Sequence, residues 1–217
     1  YLPVDEAYID LIAASVEDAY SSVSSVFGEK PAGLTTVVVY PDSTSLAKSF
    51  GWDKDEKAMG VYWGGTIRIL SPGVWASGPD ITQQFMEEGP IVHEFTHLMV
   101  DETTAGNYNR WWTEGIAQYI EKKITGFEFA DPFASGRKFE YYKLDELGKN
   151  FDSKDQQIAY WESLKVVEYI ADEYGEESLF DILSSLGYRY SLSQAIEKSL
   201  KIDFRTFEQN FYCSLEN

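Results

Sequence analysis

Apolar residues recur at close to helical spacing over the first part of the chain, from Asp5 to Phe27. They are Ala7, Ile9, Ile12, Val16, Ala19, Tyr20 and Val23. This spacing places the apolar side chains on one face of a helix, and the glycine that follows at position 28 is a typical helix stop. The pattern therefore predicts a long amphipathic helix at the start of the fold.

Residues 34–40 read LTTVVVY, a run rich in β-branched side chains with proline or glycine on both sides. This composition is typical of a strand, and we expect it to be an internal strand of its sheet. Residues 43–50 are predicted to form a short helix. Two β-prone pieces follow, AMGVYW and TIRIL, and they meet at Gly64 and Gly65, which are typical hairpin residues.

The rest of the chain is predicted to be mainly helical. Pro90 favours a helix start and predicts a helix to about Asp101, and Thr113 is expected to cap a second helix that ends near Lys123. From residue 155 onward nearly everything reads as helix, with breaks at Gly175 and Gly187. The predicted fold class is α+β, with an N-terminal lobe of about residues 1–102 that holds a small mixed sheet. A helical lobe of about residues 103–217 follows, and we expect an active site in the cleft between the lobes.

Composition narrows the classes of function. Hydrophobic residues make up 44% of the 217 positions, which is typical of a globular protein. The formal net charge of −18 disfavours nucleic acid and anionic lipid as partners, since both would be repelled. Cys213 is the only cysteine, which excludes an intrachain disulfide and a zinc site built on cysteines. The sequence indicates no particular oligomeric state.

Two features of the sequence bear on localisation: the lack of a long apolar stretch and the residue at which the sequence begins. No stretch approaches the roughly 20 apolar residues of a membrane-spanning helix, so no membrane span is expected. The sequence begins at Tyr1 rather than at methionine. We therefore expect either a trimmed or a mature form whose targeting segment is missing, and an extracellular or cell-surface location.

The chemistry concentrates in residues 93–97, which read His-Glu-Phe-Thr-His. On a helix, His93 and His97 lie one turn apart on the same face and can share one metal ion. Glu94 lies within reach of a water bound to that metal and is the expected general base. The chain has only two histidines, and random placement would give this arrangement about one time in a thousand, so coincidence is a poor explanation.

A hydrolytic zinc site has three protein ligands and one open position, so a third ligand is expected. Without another histidine or a cysteine pair, this ligand should be a carboxylate. Glu114 stands early in the predicted second helix and is flanked by small residues that let two helices approach closely. We therefore predict that His93, His97 and Glu114 hold the metal.

These residues resemble the gluzincin metallopeptidases, in which H-E-x-x-H is followed by W-x-x-E-G-x-A-x-Y on a second helix. The matching residues here are Trp111, Glu114, Gly115, Ala117 and Tyr119. The resemblance implies a gluzincin-like fold and a single catalytic domain over residues 1–217. It also implies one Zn²⁺ per chain and a peptide or protein substrate.

Further expectations depend on the same resemblance. A tyrosine at the start of a later helix stabilises the transition state in zinc aminopeptidases, which implies a catalytic role for Tyr160. The competing interpretation is that Tyr160 is a core aromatic in a stripe with Leu164 and Val167. The strand over residues 66–70 is expected to be the sheet edge along which an extended substrate pairs.

The sequence also departs from the best-known members of the group. It lacks the G-x-M-E-N segment of the zinc aminopeptidases, so an endopeptidase is favoured over an aminopeptidase. The spacing from His97 to Glu114 is slightly shorter than in those members. Asp101 and Gln118 are candidates to hold the ligands in place, and a solvated helix-end aspartate is an equally good interpretation of Asp101.

Two alternatives to a peptidase remain. The first is a surface or interaction domain that keeps the peptidase fold and binds zinc without turnover. The second is hydrolysis of a bond other than a peptide, since zinc-activated water is not restricted to amides. The presence of Glu94, which is not needed to hold zinc, favours the enzyme.

Overall fold

A computed structural model of the chain describes residues 1–52, 58–77, 80–134, 136 and 140–216. A 3₁₀ helix over Pro3–Tyr8 leads directly into helix α1, Ile9–Phe27. Gly28 ends α1 with a left-handed backbone, φ +70°, which glycine adopts without strain. The predicted amphipathic helix is confirmed, and it buries Ile12, Ala19 and Val23.

A three-stranded mixed sheet follows, formed by β1 (Thr36–Tyr40), β2 (Gly60–Trp63) and β3 (Thr66–Leu70). Helix α2, Ser43–Phe50, lies between β1 and β2 in sequence, as predicted. The predicted hairpin is also confirmed, because β2 and β3 are antiparallel and Gly64 and Gly65 both have positive φ. Such a backbone is typical of a two-residue hairpin turn.

The strand order β1-β3-β2 corrects two expectations. Among the residues that the structure describes, β1 pairs with β3 alone, in parallel, so β1 lies at one edge of the sheet and is not internal. β3, which was expected to be the free edge, is the central strand. The valine run of β1 led to the wrong prediction because β-branched residues indicate a strand but do not indicate how many strands lie beside it.

Helices α3 (Pro72–Trp75) and α4 (Ile81–Glu88) lead to α5 (Ile91–Thr104), which carries the two histidines. Helix α6 runs over Arg110–Thr125. The prediction that Thr113 caps α6 is wrong, because the Thr113 N–H already donates to the Asn109 carbonyl at 3.2 Å within the helix. Trp111 and Trp112 form the first turn, since both are almost fully buried and their packing outweighs local propensity.

The predicted C-terminal run of helices is confirmed. It comprises α7 (Leu144–Asn150), α8 (Gln156–Tyr174), α9 (Glu177–Gly187), α10 (Leu192–Leu200) and α11 (Phe204–Leu215). α8 buries Ile158, Leu164, Val167 and Ile170 and is the central apolar helix of this region. Gly175 ends α8 and Gly187 is the last residue of α9, in agreement with the predicted breaks.

The chain divides into two compact units. The first comprises residues 1–99 and 120–127 and contains the sheet, and the second comprises residues 100–119 and 128–217 and is helical. The α+β fold class is confirmed, and both α5 and α6 contribute residues to each unit. The cleft stays a prediction. Among the described residues, no helix combines the length and hydropathy that crossing a membrane requires.

Candidate metal centre

Helix α5 presents His93 and His97 one turn apart, as the i, i+4 spacing predicts. The centroids of the two imidazole rings lie 4.8 Å apart, and the rings stand nearly perpendicular, at 81°. Phe95, Leu98 and Met99 on the same helix are buried and fix its packing. The two imidazoles are therefore held side by side on a well-packed helix.

One ligand atom from each of His93, His97 and Glu114 lies within 4.8 Å of the other two. Glu114 is buried, and the two histidines are half-buried. Two imidazole nitrogens and one carboxylate oxygen are the ligand set of a catalytic zinc site. The structure thus brings together the three residues that the sequence nominated as ligands.

Glu121 contacts His93 and was missed in the sequence. Its Oε2 lies 3.0 Å from Nδ1 of His93, and its side chain is 5% exposed. Such a carboxylate fixes the ring orientation and leaves Nε2 as the atom that faces a metal. Glu121 stands two turns after Glu114 on α6, so the i, i+7 spacing would have identified it as part of the same helix face.

The carboxylate of Glu94 is held by the sheet. Its Oε2 accepts a hydrogen bond from the main-chain N–H of Tyr62 in β2, at 2.5 Å. Glu94 is only 6% exposed. A carboxylate with so little solvent needs a donor, and β2 supplies one.

Tyr160 reaches Glu114 from the first turn of α8. Its hydroxyl interacts with the side chains of Arg110 and Glu114, and its ring contacts Phe129 and Phe151 edge-on or tilted. Burial is the main cause that raises the pKa of Tyr160 far above its ordinary value, and the charge of Glu114 adds to it. Tyr160 therefore stays a neutral hydrogen-bond donor. The hydroxyl lies next to the predicted ligand Glu114, and a catalytic role for Tyr160 stays a prediction.

Arg110 is the second residue that the sequence did not single out. Its Nε lies 3.4 Å from Oε1 of Glu114, one helical turn away, and its Nη1 lies 2.5 Å from Oδ1 of Asp152. The guanidinium also lies 5.6 Å from the centre of the Phe151 ring. Arg110 thus connects a predicted ligand with the predicted oxyanion donor Tyr160.

Gln118 and Asp101 have structural partners of their own. Gln118 donates from Nε2 to the carbonyl oxygens of Tyr160 at 2.9 Å and Glu114 at 3.1 Å, so it joins α6 to the start of α8. Asp101 bonds the Tyr108 hydroxyl, whose pKa rises to about 12, mainly through burial. Gly115 makes the approach of α6 to α8 possible, because a Cβ there would lie 2.4 Å from the Ser163 carbonyl oxygen.

Comparison with known proteins agrees with this geometry. A family model described as the peptidase MA superfamily matches residues 16–217. The match therefore includes the sheet, both histidines, Glu114 and Tyr160. No curated protein matches the chain.

Proposed function

The chain belongs to the peptidase MA superfamily, and we propose that it is a zinc-dependent peptidase with Glu94 as its general base. Membership supports a peptidase-type hydrolase that acts on peptides or proteins. The observation that carries the finer proposal is the cluster of His93, His97 and Glu114, with Glu94 adjacent on the same helix.

The residues of the cluster fit zinc. Their atoms are a nitrogen, nitrogen and oxygen set, which suits Zn²⁺ and leaves an open position for water. Small side-chain rotations can reduce separations of up to 4.8 Å to those of ligands on one ion. The contact between Glu121 and His93 Nδ1 is the kind of support that zinc-binding histidines have.

Zinc would supply an acidified water, with a pKa near 7, and a polarised substrate carbonyl. Glu94 would accept a proton from the attacking water as its oxygen bonds to the carbonyl carbon. The carbon–nitrogen bond then breaks, and Glu94 returns the proton to the leaving nitrogen. The products are a carboxylic acid and an amine, and no covalent enzyme intermediate forms.

Tyr160 would turn its one hydroxyl proton from Glu114, with which it interacts in the structure, to the oxyanion that develops on the carbonyl. A neutral phenol adds a donor without adding charge, and its raised pKa keeps the proton in place. Arg110 holds the same hydroxyl and is itself held by Asp152. We therefore assign Tyr160 as the oxyanion donor and Arg110 as its support.

An extended substrate would pair with outward backbone groups of β2 other than the Tyr62 N–H, which already donates to Glu94. β2 is the strand at the sheet edge that contacts Glu94, whereas β3 is enclosed between its neighbours. Backbone pairing along a strand gives affinity with little dependence on sequence. Such binding does not require a chain terminus, which favours an endopeptidase, as does the missing G-x-M-E-N segment.

The test is digestion of a mixed peptide library, read by mass spectrometry. The zinc-loaded chain should cleave bonds inside peptides, and cleavage should stop with a chelator and return with added zinc. The variant His97→Ala should cleave nothing under the same conditions. If the wild-type chain binds zinc and cleaves no peptide, the interaction-domain alternative replaces this proposal.

A further inference from the structure

The side chain of Glu94 lies against strand β2 at two places. The main-chain N–H of Tyr62 donates a hydrogen bond to Oε2, and the two atoms lie 2.5 Å apart. Two residues earlier in β2, the missing side chain of Gly60 leaves the space that the Glu94 side chain fills. Both contacts come from the backbone of one strand.

The N–H of Tyr62 is available because of the register of the hairpin. The Met59 carbonyl accepts from the Leu70 N–H, so the backbone groups of Met59 face β3. In an antiparallel pair the direction alternates, and Gly60 and Tyr62 therefore turn their backbone groups to the outer edge. The bond to Glu94 costs the sheet no ladder hydrogen bond.

Gly60 is required for space and not for backbone conformation, since its φ is not positive. A Cβ at this position would lie 2.6 Å from Cβ of Pro90, 2.8 Å from Cγ of Glu94 and 3.0 Å from Oε1 of Glu94. Ordinary contacts of this kind are 3.4–4 Å. Any larger residue would have to push the Glu94 carboxylate or the start of α5 away.

We propose that Gly60 and the Tyr62 N–H form a seat that positions the Glu94 carboxylate for proton transfer. Gly60 provides the room, and the N–H fixes Oε2 in one direction. This role rests on the proposed function, because it concerns the general base of that reaction. Misplacing a catalytic group by 1 Å can cost about 100-fold in rate, so a seat of this kind has a measurable effect.

The first variant is Gly60→Ala, with Gly33→Ala as its control. Gly33 also lies in the first unit, and a Cβ there would meet nothing within 4 Å. We expect Gly60→Ala to lower kcat by about 10- to 100-fold, with KM nearly unchanged, and Gly33→Ala to match the wild type. In a Glu94→Gln background, Gly60→Ala should cause no further loss, because the group it misplaces is already inactive.

A second change keeps the test decisive if Gly60→Ala fails to fold. Replacing Tyr62 by its α-hydroxy acid turns the amide into an ester, which removes only the N–H donor and adds no bulk. We expect kcat to fall by about 10-fold while zinc affinity stays the same. If the wild type cleaves peptides and the ester variant keeps its kcat within twofold, the seat is refuted.

An NMR measurement separates the seat from the proposed function. The Tyr62 amide proton should resonate downfield in the zinc-loaded wild type and move upfield in Glu94→Ala. If the wild type cleaves no peptide but this shift is seen, the peptidase proposal fails, and the seat holds the Glu94 carboxylate without serving proton transfer. If the resonance does not move, the hydrogen bond is absent and the seat is wrong.

Discussion

Nδ1 of His93 lies 3.0 Å from Oε2 of Glu121, and the two side chains are 12% and 5% exposed. The carboxylate holds the imidazole with Nδ1 protonated, so Nε2 keeps its lone pair for a metal. This contact gives His93 both an orientation and a tautomer before any metal binds. We therefore expect zinc affinity to depend on Glu121, which is not itself a predicted ligand.

Glu121→Gln should weaken zinc binding by about 10-fold and Glu121→Ala by up to about 100-fold. The amide can still accept from the imidazole but carries no charge, whereas alanine removes the partner. Competition with a chromophoric chelator measures the zinc dissociation constant. Glu87→Gln, on the exposed part of α4, is the matched control and should change nothing. Unchanged affinity in Glu121→Ala would contradict the role given to this contact.

Tyr160→Phe should lower kcat by about 100- to 1,000-fold, the usual cost of losing one oxyanion donor. The phenyl ring keeps its contacts with Phe129 and Phe151, so folding and zinc content should not change. Steady-state kinetics on one peptide substrate checks this. Tyr188→Phe, at an exposed tyrosine, is the control. An active Tyr160→Phe would mean that the tyrosine only packs.

Much of the site was predictable because its residues are close in sequence. The i, i+4 spacing gave His93 and His97, and one downstream pattern gave Glu114. Glu121 and Arg110 follow from the same helix spacing once Glu114 is chosen, at i+7 and i−4, although neither belongs to the recognised pattern. Gly60 is different, because its importance depends on which side chain of another element packs over it.

The wrong predictions about the fold also concern features that depend on packing between elements. Thr113 has a side chain that often caps helices. However, α6 begins earlier, at Arg110, because Trp111 and Trp112 are buried in its first turn. The valines of β1 indicate a strand but not its neighbours, and the three-stranded sheet leaves β1 at an edge. Local sequence predicts the elements well, whereas tertiary packing decides where they begin and which strand is exposed.

We expect Glu162 to make the stability of the second unit depend on pH. Burial raises its pKa from 4.5 to about 7, partly offset by hydrogen bonds from the Tyr212 hydroxyl at 2.6 Å and the Tyr142 N–H at 2.9 Å. Glu208 and Glu146 add negative charge nearby. The Tyr212 hydroxyl also faces the Tyr142 carbonyl, and one proton cannot serve both acceptors. A protonated Glu162 completes this chain by donating to Tyr212.

Because the pKa of Glu162 is raised in the folded chain, we expect stability to be lower at high pH than at low pH. Between pH 4.5 and about 7 the folded chain holds a proton that the unfolded chain has lost, so stability falls as pH rises and then levels off. At pH 8 the ionised Glu162 lowers the free energy of unfolding by roughly 3 kcal/mol at most. Glu162→Gln keeps the hydrogen-bond pattern of the protonated acid and removes this dependence.

Urea unfolding in chelator at pH 5 and pH 8 measures the effect. We compare the free energy of unfolding of Glu162→Gln with that of the wild type. The difference in favour of Glu162→Gln should be larger at pH 8 than at pH 5. Glu17→Gln, at an exposed position of α1, should show no such change. A difference between Glu162→Gln and the wild type that is the same at both pH values would rule out this titration.

We propose that Glu94 transfers a proton at a zinc held by His93, His97 and Glu114. The most direct measurement is the zinc content and peptide turnover of Glu94→Gln in the same preparation. The amide fills the same space and cannot accept the proton, so one zinc per chain should remain while kcat falls by about 100- to 10,000-fold. Turnover near that of the wild type would rule out Glu94 as the general base, and loss of the zinc would make Glu94 a ligand.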